Sequence, residues 1–154
     1  MELVCFLILV EDIPQTISDE VKSIMYERFG NDCVISLATT VDNMPYVRNV
    51  NAFYEDGAFY ILTYGKSNKM KQIAINPNVA IAGFWFQAFG TGISLGYFLK
   101  PENEKIASMM KDKFAEWIDN GHNDFNDENT CILKIELTHG LLWSNGKRFE
   151  ITFR

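Results

Sequence analysis

What this 154-residue chain lacks narrows it first. It has three cysteines, Cys5, Cys33 and Cys131, far apart and with no C-x-x-C spacing, and two histidines, His122 and His139. Neither a disulfide framework nor a zinc site follows from such a set, so no metal and a reducing, cytoplasmic setting are expected. A hydrolytic triad is equally unsupported, because no serine lies in a G-x-S-x-G turn. The loop from Asp119 to Asn129 is rich in oxygen ligands but lacks the calcium-loop register and its closing glutamate, so it reads as a polar loop carrying a solvated His122. Cations are scarce too: 14 Lys and Arg against 20 Asp and Glu give a net charge of -6, which disfavours a grip on a nucleic-acid backbone. The apolar run "LVCFLILV" over 3–10 follows Glu2 rather than a basic region and is far shorter than the ~20 residues that span a bilayer. It is expected to be a buried or interface strand, and neither nucleic acid nor a membrane is an expected partner.

What is present is apolar and aromatic: 47% hydrophobic and 14% aromatic residues suit a β-rich core or an oligomer that buries extra surface. The length suits one domain, 1–154. Ser18, Asp19 and Glu20 open a helix over about 18–29, with Val21, Ile24, Met25 and Phe29 at helical spacing. From Cys33 the β-formers take over: "CVISLATTV", the turn "DNMP", "YVRNVNAFY", the turn "EDG" and "AFYILTY" read as three antiparallel strands. Two more are expected in "NVAIAGFWFQAFGTGISLGYFL", with Gly90 and Gly92 marking the break between them. Pro101 starts another helix, running to Gly121 with the stripe Ile106, Met109, Met110, Phe114, Trp117 and Ile118 packed in the core. "TCILKIELT" and a hairpin around Asn145-Gly146 complete six or seven strands, joined mostly by hairpins, which predicts a mainly β fold: an antiparallel barrel with peripheral helices.

The segment "TYGKSNKMKQIAINPNVA", from Thr63, stands out as a basic connector in an acidic chain. Ser67 can cap a short helix whose Met70, Ile73 and Ala74 face the core, placing Lys69 near a helix N-terminus that favours an anion. Arg48 shares a strand face with Tyr46, Val50 and Ala52, a charged member of an apolar side that needs a partner. The tight "EDG" turn brings its strand next to the one that ends at Thr63-Tyr64. From these residues alone, a phosphate site and a plain solvated helix both remain open.

The order "MPYVRNV", "DGAFYILT", "SNKMKQI" and "NPNVAIAGFW" resembles the flavin-binding split barrels of the pyridoxamine 5'-phosphate oxidase-like superfamily, and within it the general-stress-protein branch. The resemblance is densest over 33–86 and leaves 1–15 as an extension outside it. It implies a six-stranded antiparallel Greek-key split barrel that forms a homodimer with FMN at the interface. Arg48, Ser67 and Lys69 would then hold the phosphate, Thr63 and Tyr64 would lie beside the ribityl chain and ring, and backbone groups at Asn49 and Val50 would meet the ring edge. Gln72 would sit near the flavin, and the partner's Trp143 or Trp85 would close the site, although core packing is the commoner role for each. A flavin-dependent oxidoreductase acting on a small molecule, or on reduced nicotinamide, is the implied activity; the alternatives are a non-catalytic flavin-binding or sensing protein and a deazaflavin- or haem-binding barrel. Two departures thin the resemblance to the full-length oxidases. Phe53 and Asn68 stand where those carry cations, and "KRFEITFR" lacks the histidine of their vitamin B6 element, so pyridoxamine 5'-phosphate oxidation is not expected.

Overall fold

A computed structural model of the chain describes residues 17–153, so the strand expected over 3–10 lies outside the described part. The first helix, α1 (Asp19–Phe29), begins where the Ser18 hydroxyl accepts a hydrogen bond from the Val21 N–H at 3.3 Å. It buries Val21, Met25 and Phe29. The strands β1 (Cys33–Val41), β2 (Met44–Glu55) and β3 (Ala58–Tyr64) form an antiparallel meander. Its two turns, Asp42-Asn43 and Asp56-Gly57, have positive φ at both central residues, the geometry that matches strand twist in a two-residue hairpin. Then α2 (Asn68–Ile75) crosses over to β4 (Asn78–Gly83), which pairs with β1 rather than β3. That return is the Greek-key step. β5 (Phe86–Tyr97), a 3-10 turn at Pro101–Asn103, α3 (Glu104–Lys113), β6 (Thr130–Ser144) and β7 (Lys147–Thr152) follow.

The sheet order is β3-β2-β1-β4-β5-β6-β7, and β3 pairs with β6, so six strands close a barrel and β7 extends β6 outside it. Alternation fills the interior: Ile35, Leu37, Ala52, Tyr54, Phe59, Ile61, Leu133 and Ile135 meet there with residues from α1 and α2. The other face of β3 and β6 packs under α3 and its following turns, where Phe53, Tyr60, Met110, Phe114, Ile118 and Ile132 form a second cluster. Met109, Met110 and Trp117 are therefore packing residues, as expected. No helix among the described residues is long and apolar enough to cross a membrane.

Closure is incomplete between β2 and β3. They pair at only three positions, Phe53↔Tyr60, Tyr54↔Phe59 and Glu55↔Ala58. Beyond these, β2 stays with β1 back to Met44 and β3 stays with β6 out to Tyr64, so their facing edges part and leave the barrel split.

Four sequence expectations need correction. The β4–β5 turn is Phe84-Trp85, not Gly90 or Gly92, which lie inside β5. Those glycines permit close approach, and the β5–β6 register shifts between Phe89 and Gly90 without ending the strand: a Cβ at Gly90 would stand 2.6 Å from the Glu136 carbonyl oxygen, and one at Gly92 2.8 Å from Ile73 Cγ2. α3 stops at Lys113, and Phe114 to Ile118 reach the core through turns. Ala74 is exposed while Met70 and Ile73 are buried, because α2 seats only a narrow stripe. Trp85 is 62% exposed at the turn, with φ of 49°, and does not pack in the core.

Candidate functional site

The split gathers the basic segment and Arg48. Arg48 is opposite Leu37 in the β1–β2 register and faces the same side as Val50, Ala52 and Tyr54. Its Nη1 donates to the Leu37 carbonyl oxygen at 3.2 Å and to Thr39 Oγ1 at 2.9 Å, and its Nη2 donates to Gln72 Oε1 at 2.6 Å. Thr39 Oγ1 in turn donates to Gln72 Oε1 at 2.7 Å. A guanidinium has five N–H groups, so after these three bonds two remain free to meet an incoming oxygen pair.

Every one of those acceptors is neutral. Ion pairs among the described residues are Lys134–Glu136, Lys147–Glu20 and Arg148–Glu150, and none involves Arg48 or Lys69. Lys69, in the first turn of α2, has its pKa pushed down by burial and then by the charge of Arg48, while burial also lowers that of Arg48. Two neighbouring cations without a carboxylate are costly in the free protein and favour a bound anion. Thr63 Oγ1 and Ser67 Oγ are buried and have no hydrogen-bond partner. Ser67 holds the N-cap position of α2, but its hydroxyl makes no cap bond, contrary to expectation. The N–H groups of that first turn have no intrahelical acceptors either. Ser67 with its orphaned hydroxyl, the free N–H groups and Lys69 at the start of α2, Arg48 from β2 beside Lys69, and the orphaned Thr63 hydroxyl near the end of β3 are the donor set that a phosphate monoester would complete.

The other expected residues fall into place unevenly. Tyr64 is half exposed at the end of β3, beside the split. Val50 is half-buried against the interior cluster. Asn49 turns its side chain to the outer face, where Oδ1 accepts from Ser36 at 3.0 Å, so only its backbone is available to the split. Gln72 belongs to the cluster through its side-chain oxygen. Trp143 lies at the far end of β6 from Cys131, which pairs with Thr63, and its backbone N–H donates to the Trp85 carbonyl oxygen; it does not join the cluster within one chain. Thr39, 1% exposed, was missed by sequence reasoning. Its signal was the alternation Ile35, Leu37, Thr39, which puts a polar side chain on an inward face.

A concavity of about 480 Å³ lies on the outer face of the sheet, away from this cluster. It is lined by Ala38, Ala80, Ala82 and Leu141 among others, and by the exposed Val47 and Phe89. Neither described cysteine is a nucleophile candidate: Cys33 is pushed up to about 12 by burial and by Asp32, and Cys131 is raised by burial.

No protein-family model matches the sequence, and no curated protein matches it. Solved structures do. General Stress Protein 26 from Bacillus anthracis str. Sterne aligns with a TM-score of 0.64 at 17% identity, over 86% of this chain and 99% of its own. An FAD-binding protein from Mesorhizobium loti aligns with a TM-score of 0.62 at 15% identity, over 82% and 94%. A haem-binding protein from Mycobacterium smegmatis gives 0.59 at 15% identity, over 80% of this chain and 54% of its own, so this chain spans about half of it. At these identities the likeness is one of fold, and the fold is the split barrel that the sequence motifs anticipate.

Proposed function

We propose that the chain binds flavin mononucleotide in the split between β2 and β3 and acts as a flavin-dependent oxidoreductase on a small molecule. The observation that carries this reading is the uncompensated pair Arg48 and Lys69 beside the orphaned hydroxyls of Thr63 and Ser67. In this reading Arg48, Ser67 and Lys69 hold the phosphate, Thr63 and Tyr64 flank the ribityl chain and ring, and the unpaired edge of β2 at Asn49 and Val50 offers backbone groups to the ring edge. The flavin supplies hydride and electron transfer. The chain supplies binding, orientation and exclusion of water. The exposed Val47 and Phe89 suit a covered surface, and we take the assembly to be a homodimer whose second copy brings Trp143 or Trp85 to the ring.

The test is the ligand that copurifies. Purified protein should be yellow, run as a dimer, and release FMN identified by mass; a colourless preparation that refuses added FMN overturns the reading. Steady turnover of reduced nicotinamide with an electron acceptor separates the oxidoreductase from a flavin sensor.

Haem has one observation on its side: His139 borders the apolar outer groove. The same groove has no lysine or arginine among its lining residues and carries Glu150, which opposes the two carboxylates of a haem. The flavin reading is therefore the stronger. Deazaflavin would be distinguished by the same mass measurement.

A pH dependence follows from Lys69. Burial and Arg48 hold its pKa below the ordinary 10.5 in the free protein, and a phosphate beside it favours the ammonium and raises it again. Between the two values binding takes up a proton, so affinity for FMN must fall as pH rises toward 10.5. Riboflavin, which has the same ring and no phosphate, should not show this component. Titrations of both ligands across that range check it, and Lys69→Arg should flatten the difference.

A further inference from the structure

We propose that Gln72 is a positioning residue that aims Arg48, and that the position requires a neutral acceptor. The proposal rests on the phosphate reading above and adds to it a residue that acts through the arginine. Gln72 Oε1 accepts from Arg48 Nη2 and from Thr39 Oγ1, and Thr39 Oγ1 accepts from Arg48 Nη1, so the three side chains close a ring. The ring ties β1, β2 and α2 together at the split. The guanidinium cannot turn about its side chain without breaking at least one of these bonds, which leaves its two free N–H groups in a fixed direction.

Charge makes the choice of residue informative. A glutamate is the same length, could accept the same two bonds, and would neutralise Arg48 in the free protein. An amide there holds the arginine equally well in geometry while leaving its charge uncompensated, with Lys69 close enough to feel it. That arrangement raises the energy of the empty site and lowers that of the anion-loaded one. It is what a site built for an incoming phosphate needs and what a purely structural contact does not.

The experiment is a titration of FMN and riboflavin into the wild type, Gln72→Glu, Gln72→Met and Thr39→Val, with melting temperatures of the ligand-free proteins. The wild type should prefer FMN. Gln72→Glu should lower that preference about thirtyfold or more by pairing with Arg48, with riboflavin affinity within about twofold and a melting temperature no lower than wild type. Gln72→Met and Thr39→Val, which loosen the arginine without neutralising it, should lower the preference about three- to tenfold. A wild type that binds FMN no better than riboflavin overturns the phosphate reading itself. A wild type with the preference and a Gln72→Glu variant that keeps it overturn the Gln72 assignment alone, as does equal loss of both ligands.

Discussion

Replacing Arg48 with alanine should weaken FMN binding roughly a hundredfold, about 3 kcal/mol, and leave riboflavin binding and the melting temperature nearly unchanged. The size follows from what the phosphate loses: two oriented, charge-assisted donors and the larger share of the local positive charge. The fold loses little, because the acceptors released are neutral and Thr39 keeps its bond to Gln72. Removal of Arg48 also frees Lys69 from a neighbouring like charge, so the remaining cation becomes easier to protonate. Because that gain exists only while Lys69 is present, and the wild type alone bears the cost of protonating it, Arg48→Ala and Lys69→Ala should combine to more than the sum of their separate effects on FMN affinity. Isothermal or fluorescence titration of both flavins reads all four terms of the cycle, and FMN affinity that does not change in Arg48→Ala removes the arginine from the site.

Much of the candidate site is legible in the sequence alone, for reasons of local chemistry. Asp56-Gly57 and Asn145-Gly146 are turn dipeptides that dictate their own hairpins, so the strands on either side, Arg48's among them, were placed correctly. Arg48 was conspicuous as a charge in step with Val50 and Ala52. What stayed hidden depends on contacts between distant segments. Thr39 was one of several threonines in a strand where threonine is ordinary, and only the pairing of Leu37 with Arg48 shows that it meets the guanidinium. The β4–β5 turn was misplaced because Trp85, a bulky residue at positive φ, is the last residue that turn propensity would select, while two nearby glycines looked like punctuation. Ser67 sat where a capping serine belongs, yet its hydroxyl is orphaned, and the local rule failed at a position with a candidate ligand role.

Gly92 connects the fold to the site, and its replacement carries the second large effect. A Cβ there would lie 2.8 Å from Cγ2 of Ile73, 3.1 Å from Cδ1 and 3.3 Å from Cγ1. Ile73 is 5% exposed and anchors α2 in the barrel interior, so its side chain can yield only against packed neighbours. Gly92→Val should therefore cost about 3 kcal/mol, by forcing either a strained isoleucine or an outward shift of the helix. The second response matters for function, because α2 carries Lys69 and Gln72 and follows directly on Ser67. A shift of about 1 Å would separate Gln72 from Arg48 and spoil the phosphate donors together, so the preference for FMN over riboflavin should fall about tenfold in addition to the loss of stability. Shortening the opposing side chain restores the space: Ile73→Ala combined with Gly92→Val should be more stable than the sum of the single changes predicts, and should regain FMN preference. If Gly92→Val loses stability but keeps the preference, the isoleucine is strained in place and α2 does not move; if both fall in the single variant and both recover in the double, the seating of one helix on one glycine sets the geometry of the cluster.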